Sequence, residues 1–194
     1  MRPAVSKEKR YTYRDYFSWT EAEWWEIIDG VAYHMTPAPK VKHQRIVALL
    51  DRKLADTIEG KGCSLFIAPT DVVLDEYNVV QPDVFIVCDK KKITDDNIQG
   101  APDLIIEVAS PATELRDRRE KKNTYEKFGV KEYIIIFPEG EYLERYCLRD
   151  AGFGAPEIFN WDEALRLCFF EIEINLWEIF EKEKEHQGEE HEQR

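Results

Sequence analysis

No stretch of this 194-residue chain approaches the roughly 20 consecutive apolar residues that a bilayer-spanning helix needs. No apolar segment follows the basic residues of the N-terminal MRPAVSKEKR either. A secretory signal is therefore not expected, and a cytoplasmic protein is. Cysteine is scarce: Cys63, Cys88, Cys147 and Cys168 form no C-x-x-C pair and no zinc-ribbon spacing. Cys88 and Cys147 lie inside apolar runs, where a reduced thiol serves as a small hydrophobe, and that is the expected state. Histidine is as rare, and two of the four, His186 and His191, sit in a polar tail where solvation rather than metal binding is expected. A positive balance is missing as well. With 27 basic and 39 acidic residues the net charge is -12, which argues against a protein that coats nucleic acid by neutralising phosphates.

What remains is the composition of an ordinary globular protein, 43% hydrophobic and 12% aromatic, with neither an internal repeat nor a linker. Charge is unevenly spread. Residues 40–53 carry five basic residues against one acidic, and residues 114–131 seven against four, so local positive patches can exist on an acidic body. Residues 181–194 hold six glutamates against three basic residues and are expected to be a disordered tail.

Along the chain, residues 11–25 are aromatic-rich, and Thr20 with Glu23 has capping-box spacing. Asp29-Gly30 between EWWEII and VAYHM predicts a hairpin, because both turn positions favour positive φ. Val41, Ile46, Val47, Leu49, Leu50, Leu54 and Ile58 recur near a helical period, predicting a helix with a basic outer face that stops at Gly60 and Gly62. The pattern then turns strand-like in SLFIAP, TDVVLD, DVFIVCD and DLIIEVA. A helix is expected from Thr113, as its cap, to Phe128, with Gly129 as its stop. KEYIIIFP reads as a buried strand, EYLERYCLR as a half-exposed one, and 151–160 as a loop or edge strand. The order implies an α/β (α+β) fold, a mixed sheet flanked by helices.

Two of these strands carry a carboxylate each, Asp83 after Pro82 and Glu107 inside LIIEVA. Two carboxylates about 4 Å apart repel by on the order of 4 kcal/mol at an effective dielectric of 20. A divalent cation removes that cost, and Mg²⁺ suits hard oxygen ligands. A lysine two residues after the glutamate would share its face of the strand. That position is Ala109. The following helix offers a substitute, since Asp117, Lys121 and Tyr125 are spaced by four and share a face.

Pro82-Asp83, a gap, and Glu107-x-Ala109 resemble the PD-(D/E)XK nuclease superfamily with its lysine moved to a helix. The longer pattern is more specific. E-x-x-D-G at Glu26–Gly30, Met35–Pro39 with His43, QPDV, APDLIIEVASPAT, the D-x-x-x-K-x-x-x-Y helix and GVKEYIIIFP resemble the bacterial Uma-two family of restriction endonucleases, over roughly residues 12–180. The resemblance implies a restriction-endonuclease-like domain spanning residues 1–180, Mg²⁺ as cofactor and DNA as substrate, with RNA left open. It makes Asp83 and Glu107 the metal ligands, Lys121 the catalytic lysine and Glu26 an accessory acid. The chain departs from the family where Phe137 precedes Pro138 in place of the usual aspartate.

Each residue has a plainer reading beside this one. Asp83 and Asp103 could merely start strands. Glu107, buried unpaired, would cost several kcal/mol, which favours a function. Lys121 belongs to the charge run RDRREKK, with Lys122 as rival, and Glu26 could simply support the hairpin. Trp24, Trp25, Trp161 and Trp177 suit a core or a dimer surface better than base stacking. Two functions follow: a Mg²⁺-dependent endonuclease, or a catalytically inactive nuclease-like fold that binds nucleic acid or acts in assembly. A homodimer fits either.

Overall fold

The computed structural model describes residues 9–19, 24–35 and 39–183. The Thr20–Glu23 capping box and most of the charged tail lie outside them. A capping box does occur earlier, where the Thr12 hydroxyl accepts from Asp15 N and the Asp15 carboxylate accepts from Thr12 N, opening α1 (Tyr13–Phe17). Strands β1 (Trp25–Ile28) and β2 (Val31–His34) pair antiparallel around Asp29 and Gly30, whose φ values of 49° and 78° are those the two-residue turn demands.

Helix α2 (Val41–Gly60) buries Ile46, Val47, Leu49, Leu50, Leu54 and Ile58. Val41, expected on that stripe, is 80% exposed, because the first turn overhangs a cleft rather than the sheet. Three short strands follow, β3 (Ser64–Ile67), β4 (Val72–Asp75) and β5 (Asn78–Val80). Next come β6 (Val84–Val87), β7 (Ile98–Gln99) and β8 (Leu104–Val108). Strands β9 (Glu132–Phe137), β10 (Tyr142–Cys147) and β11 (Glu157–Asn160) complete the larger sheet.

The strands form two main sheets. One has the order β2-β1-β5-β4-β7 and the other β11-β10-β9-β8-β6-β3, in which β8 and β9 run parallel and the other pairs antiparallel. The mixed sheet flanked by helices is therefore present, but doubled. The period-2 pattern of β8 divides the core. Ile106 and Val108 face α2, while Ile105 and Ala109 pack with Tyr125 and Tyr133 on the opposite side. A hairpin of β12 (Ala164–Arg166) and β13 (Glu173–Asn175), then α5 (Leu176–Ile179), closes the chain against α2. Among the described residues no helix is long and apolar enough to cross a membrane.

The cysteine expectation is overturned. Cys63 bonds Cys88, and Cys147 bonds Cys168. Cys63 and Cys88 flank the β3–β6 ladder just beyond the Ser64↔Val87 pair, so register brings them face to face across 25 residues of chain. Strand pairing brought the first pair together and the docking of the β12 end against β10 the second, and sequence spacing carries no trace of either.

Candidate active site

The chain changes sheets at Gln81-Pro82-Asp83, between β5 and β6. Proline suits this corner because it fixes φ and has no N–H to leave unpaired. The corner sets two acids in place. Gln81 N donates to Glu26 Oε1 on β1 (3.1 Å), and the β6–β8 register, Val84↔Ile106, continues to bring Asp83 opposite Glu107. Asp83 is anchored by Val108 N, which donates to Oδ2 at 2.8 Å, and by His43 Nε2 from α2 at 3.2 Å.

The lysine arrives from the helix after β8. That helix is not uniform: α3 (Glu114–Arg116) passes into a π-helical turn, Asp117–Lys121, and then α4 (Lys122–Phe128), which ends at Gly129 with φ 80°. Thr113 makes no side-chain cap; its hydroxyl accepts from Ser110 N instead. The wide turn offsets the angular drift that four-residue spacing has in a regular α-helix, so Asp117, Lys121 and Tyr125 are all buried on one side. Tyr133 OH, donating to the Asp117 carbonyl (3.1 Å), braces the turn.

At the centre Lys121 Nζ lies 2.8 Å from Glu26 Oε1 and 2.9 Å from Glu107 Oε1. Tyr125 OH donates to the same Glu107 oxygen at 2.8 Å. Lys121 is 4% exposed, whereas Lys122 points elsewhere, over the Tyr146 ring. Glu26, Glu107 and Lys121 form one wall of a cleft of about 730 Å³, which Asp83, His43, Arg116 and Lys42 also line. Glu26, Asp83, Glu107 and Lys121 thus share one cavity. Phe137 is buried, stacked on Tyr142 with Arg118 over its ring. Asp103 holds Cys88 N and Lys131, the structural role expected of it.

Electrostatics follow from crowding. Glu26, Glu107 and Asp117 surround the Lys121 ammonium, Asp83 acts on Glu107, and Arg116 acts on Asp117, so carboxylates outnumber cations and protons or another cation can make up the balance. Glu107 is raised to about 8: burial is the main cause, Lys121 pulls the other way, and Asp83, Asp117 and Glu26 push in the same direction as burial. Burial likewise raises Asp117 to about 6 against the pull of Lys121. Burial alone would lower Lys121, but Glu107, Glu26 and Asp117 outweigh it and hold the ammonium above its ordinary value. Glu26 Oε2 is buried with no hydrogen-bond partner. An orphaned carboxylate oxygen, excess negative charge and hard oxygen donors facing a cavity fit a divalent cation such as Mg²⁺.

Two features carried little signal in the sequence. Tyr125 and Asp117 stood on the expected helix face, yet only the fold gives them Glu107 and Lys121 as neighbours. His43 could be paired with Asp83 only once α2 was packed over β6.

The profile of the Uma2 family, described as "Putative restriction endonuclease", matches residues 13–176. The chain belongs to the Uma2 family. Over 142 residues, 71% of this chain and 74% of its relative, it is 26% identical to "Uncharacterized protein slr1290" of Synechocystis sp.. Its fold is similar to that of a crystal structure described as a putative nuclease belonging to DUF820, from Anabaena variabilis. The TM-score is 0.73 at 17% identity, covering 88% of this chain and 97% of the other. At that identity the likeness speaks to the fold, which is nuclease-like.

Proposed function

We propose that this Uma2 chain is a Mg²⁺-dependent endonuclease that hydrolyses phosphodiester bonds in DNA. The observation that carries the reading is Lys121, an ammonium buried between Glu26 and Glu107 in the cleft that Asp83 also lines. Asp83 and Glu107 would hold the ion. When bound, it polarises the scissile phosphate and acidifies water.

The chain's own groups do the rest. Lys121 stays charged because three carboxylates hold its proton, so it can orient an attacking water and stabilise developing phosphoryl charge. Glu26 fixes the ammonium from the far side, and Tyr125 fixes Glu107. Both act as positioning residues. Lys42 and Arg116, which line the cleft, supply positive charge toward a phosphate backbone despite the acidic body.

The alternative, an inactive binding or assembly module, predicts no need for a lysine pointing inward. Incubation of the purified chain with supercoiled DNA, linear DNA and RNA, each with Mg²⁺, Mn²⁺ or EDTA, tests the proposal. Metal-dependent nicking of DNA is expected, with Asp83→Ala and Glu107→Ala inactive. Cleavage of RNA alone would change the substrate. No cleavage of any substrate would leave the binding module standing.

A further inference from the structure

We propose that Cys147, Cys168 and Glu132 form a zinc-class metal site once the Cys147–Cys168 bond is reduced. This site is independent of the cleft. Glu132 and Cys147 are opposite one another in the β9–β10 ladder, and Cys168 opens the turn between β12 and β13. The two sulfurs and a carboxylate oxygen lie within 4.8 Å of one another. Tetrahedral zinc, with Zn–S of about 2.3 Å and Zn–O of about 2.0–2.2 Å, holds its ligands roughly 4 Å apart, so once the bond is reduced the two sulfurs must part to that separation while all three groups stay within reach of one ion.

Glu132 is the second, independent observation. Its side chain is wholly buried; Oε2 accepts from Cys168 N at 2.9 Å, while Oε1 is buried without a partner. An orphaned carboxylate oxygen in a wholly buried side chain beside two sulfurs is costly unless something positive meets it. Two thiolates and the carboxylate carry three negative charges. A divalent ion leaves one, which the Arg145 guanidinium, close enough to act on Glu132, offsets. A cavity of about 340 Å³ beside Cys147 and Arg145 has room for water as fourth ligand. Two soft thiolates select zinc over magnesium.

The chemistry balances. Two small-molecule thiols reduce the bond, giving their own disulfide and two protein thiols. The metal then displaces both thiol protons. Cys168 is exposed, so a reductant can reach it.

Cobalt(II) is the probe, added anaerobically to the full chain after reduction and removal of reductant. One equivalent should produce thiolate-to-cobalt charge transfer that Zn²⁺ bleaches, and the oxidised chain should give none. The oxygen and nitrogen ligands of the cleft cannot produce that band. Cys168→Ser should remove about half of it, Glu132→Gln should weaken binding at least tenfold, and a Cys63→Ser/Cys88→Ser chain should keep it. Absence of the band, or an unchanged band in Cys168→Ser, overturns the site. If the variants fail to fold, alkylation mapped on the reduced wild type decides. Zn²⁺ should protect Cys147 and Cys168 several-fold, and unaltered rates would refute the proposal.

Discussion

Lys121 has two carboxylate partners within 3 Å and no contact with bulk water worth the name, while Lys122, its neighbour, lies over a tyrosine ring. The two should therefore respond differently to the same change. Lys121→Met leaves two acids facing each other in a dry site, an expected loss of about 3–5 kcal/mol near pH 8 in denaturant melts. Cleavage should fall by about 10²–10³-fold. Lys122→Met should change stability by about 0.5 kcal/mol or less and leave cleavage intact. Glu107 gives a pH test. Its folded pKa, raised from 4.5 to about 8, means the folded chain holds a proton that the unfolded chain has released between those values. Metal-free stability is then greatest at the acid end of that window. It falls as pH rises through it, by on the order of a few kcal/mol, with Asp117 adding to the slope over a narrower range. Melting temperatures in EDTA from pH 5.5 to 8.5 should show that decline, and Glu107→Gln should flatten it.

The π-helical turn is the element that most directly serves the site. It bears Asp117 at one end and Lys121 at the other, and both are buried. Deleting the exposed Arg119 would draw the turn back toward a regular α-helix, where Asp117 and Lys121, then three residues apart, are separated by about 300°, so Lys121 would sit roughly 60° off the face they share. Cleavage should drop at least as far as in Lys121→Met, while Arg119→Ala should cleave normally; that contrast isolates geometry from charge. Gly129 offers a control at the far end of the same helix. Its φ of 80° disfavours any Cβ although nothing lies within 4 Å of one. Gly129→Ala should cost about 1 kcal/mol without touching activity.

Across the whole molecule, the two sheets meet at the Gln81–Asp83 corner, and a metal seated there would tie them together. A ligand at a hundred times its Kd stabilises the folded state by about 2.7 kcal/mol. Saturating Mg²⁺ or Mn²⁺ should thus raise the melting temperature by several degrees, and Asp83→Ala should abolish the rise. It should also reverse the pH trend of the metal-free protein, since ionised carboxylates bind the cation and protonated ones do not.

Local patterns determined much of this protein without help from the fold. Short, nearly continuous apolar runs rich in β-branched residues marked β6, β8 and β9, a 3.6 period marked α2, and Asp29-Gly30 marked the first hairpin, because each depends only on near neighbours. The motif around Pro82, Glu107 and Lys121 likewise singled out the residues that line one cleft. Tertiary structure alone decided the partners: Glu26 on β1 against Lys121 on the π-helical turn, His43 against Asp83, and both cysteine pairs. Such contacts join positions tens of residues apart, and they depend on strand register and helix packing, which no window of sequence contains. The π-helical turn belongs with them, held by Tyr133 from a strand that comes later in the chain.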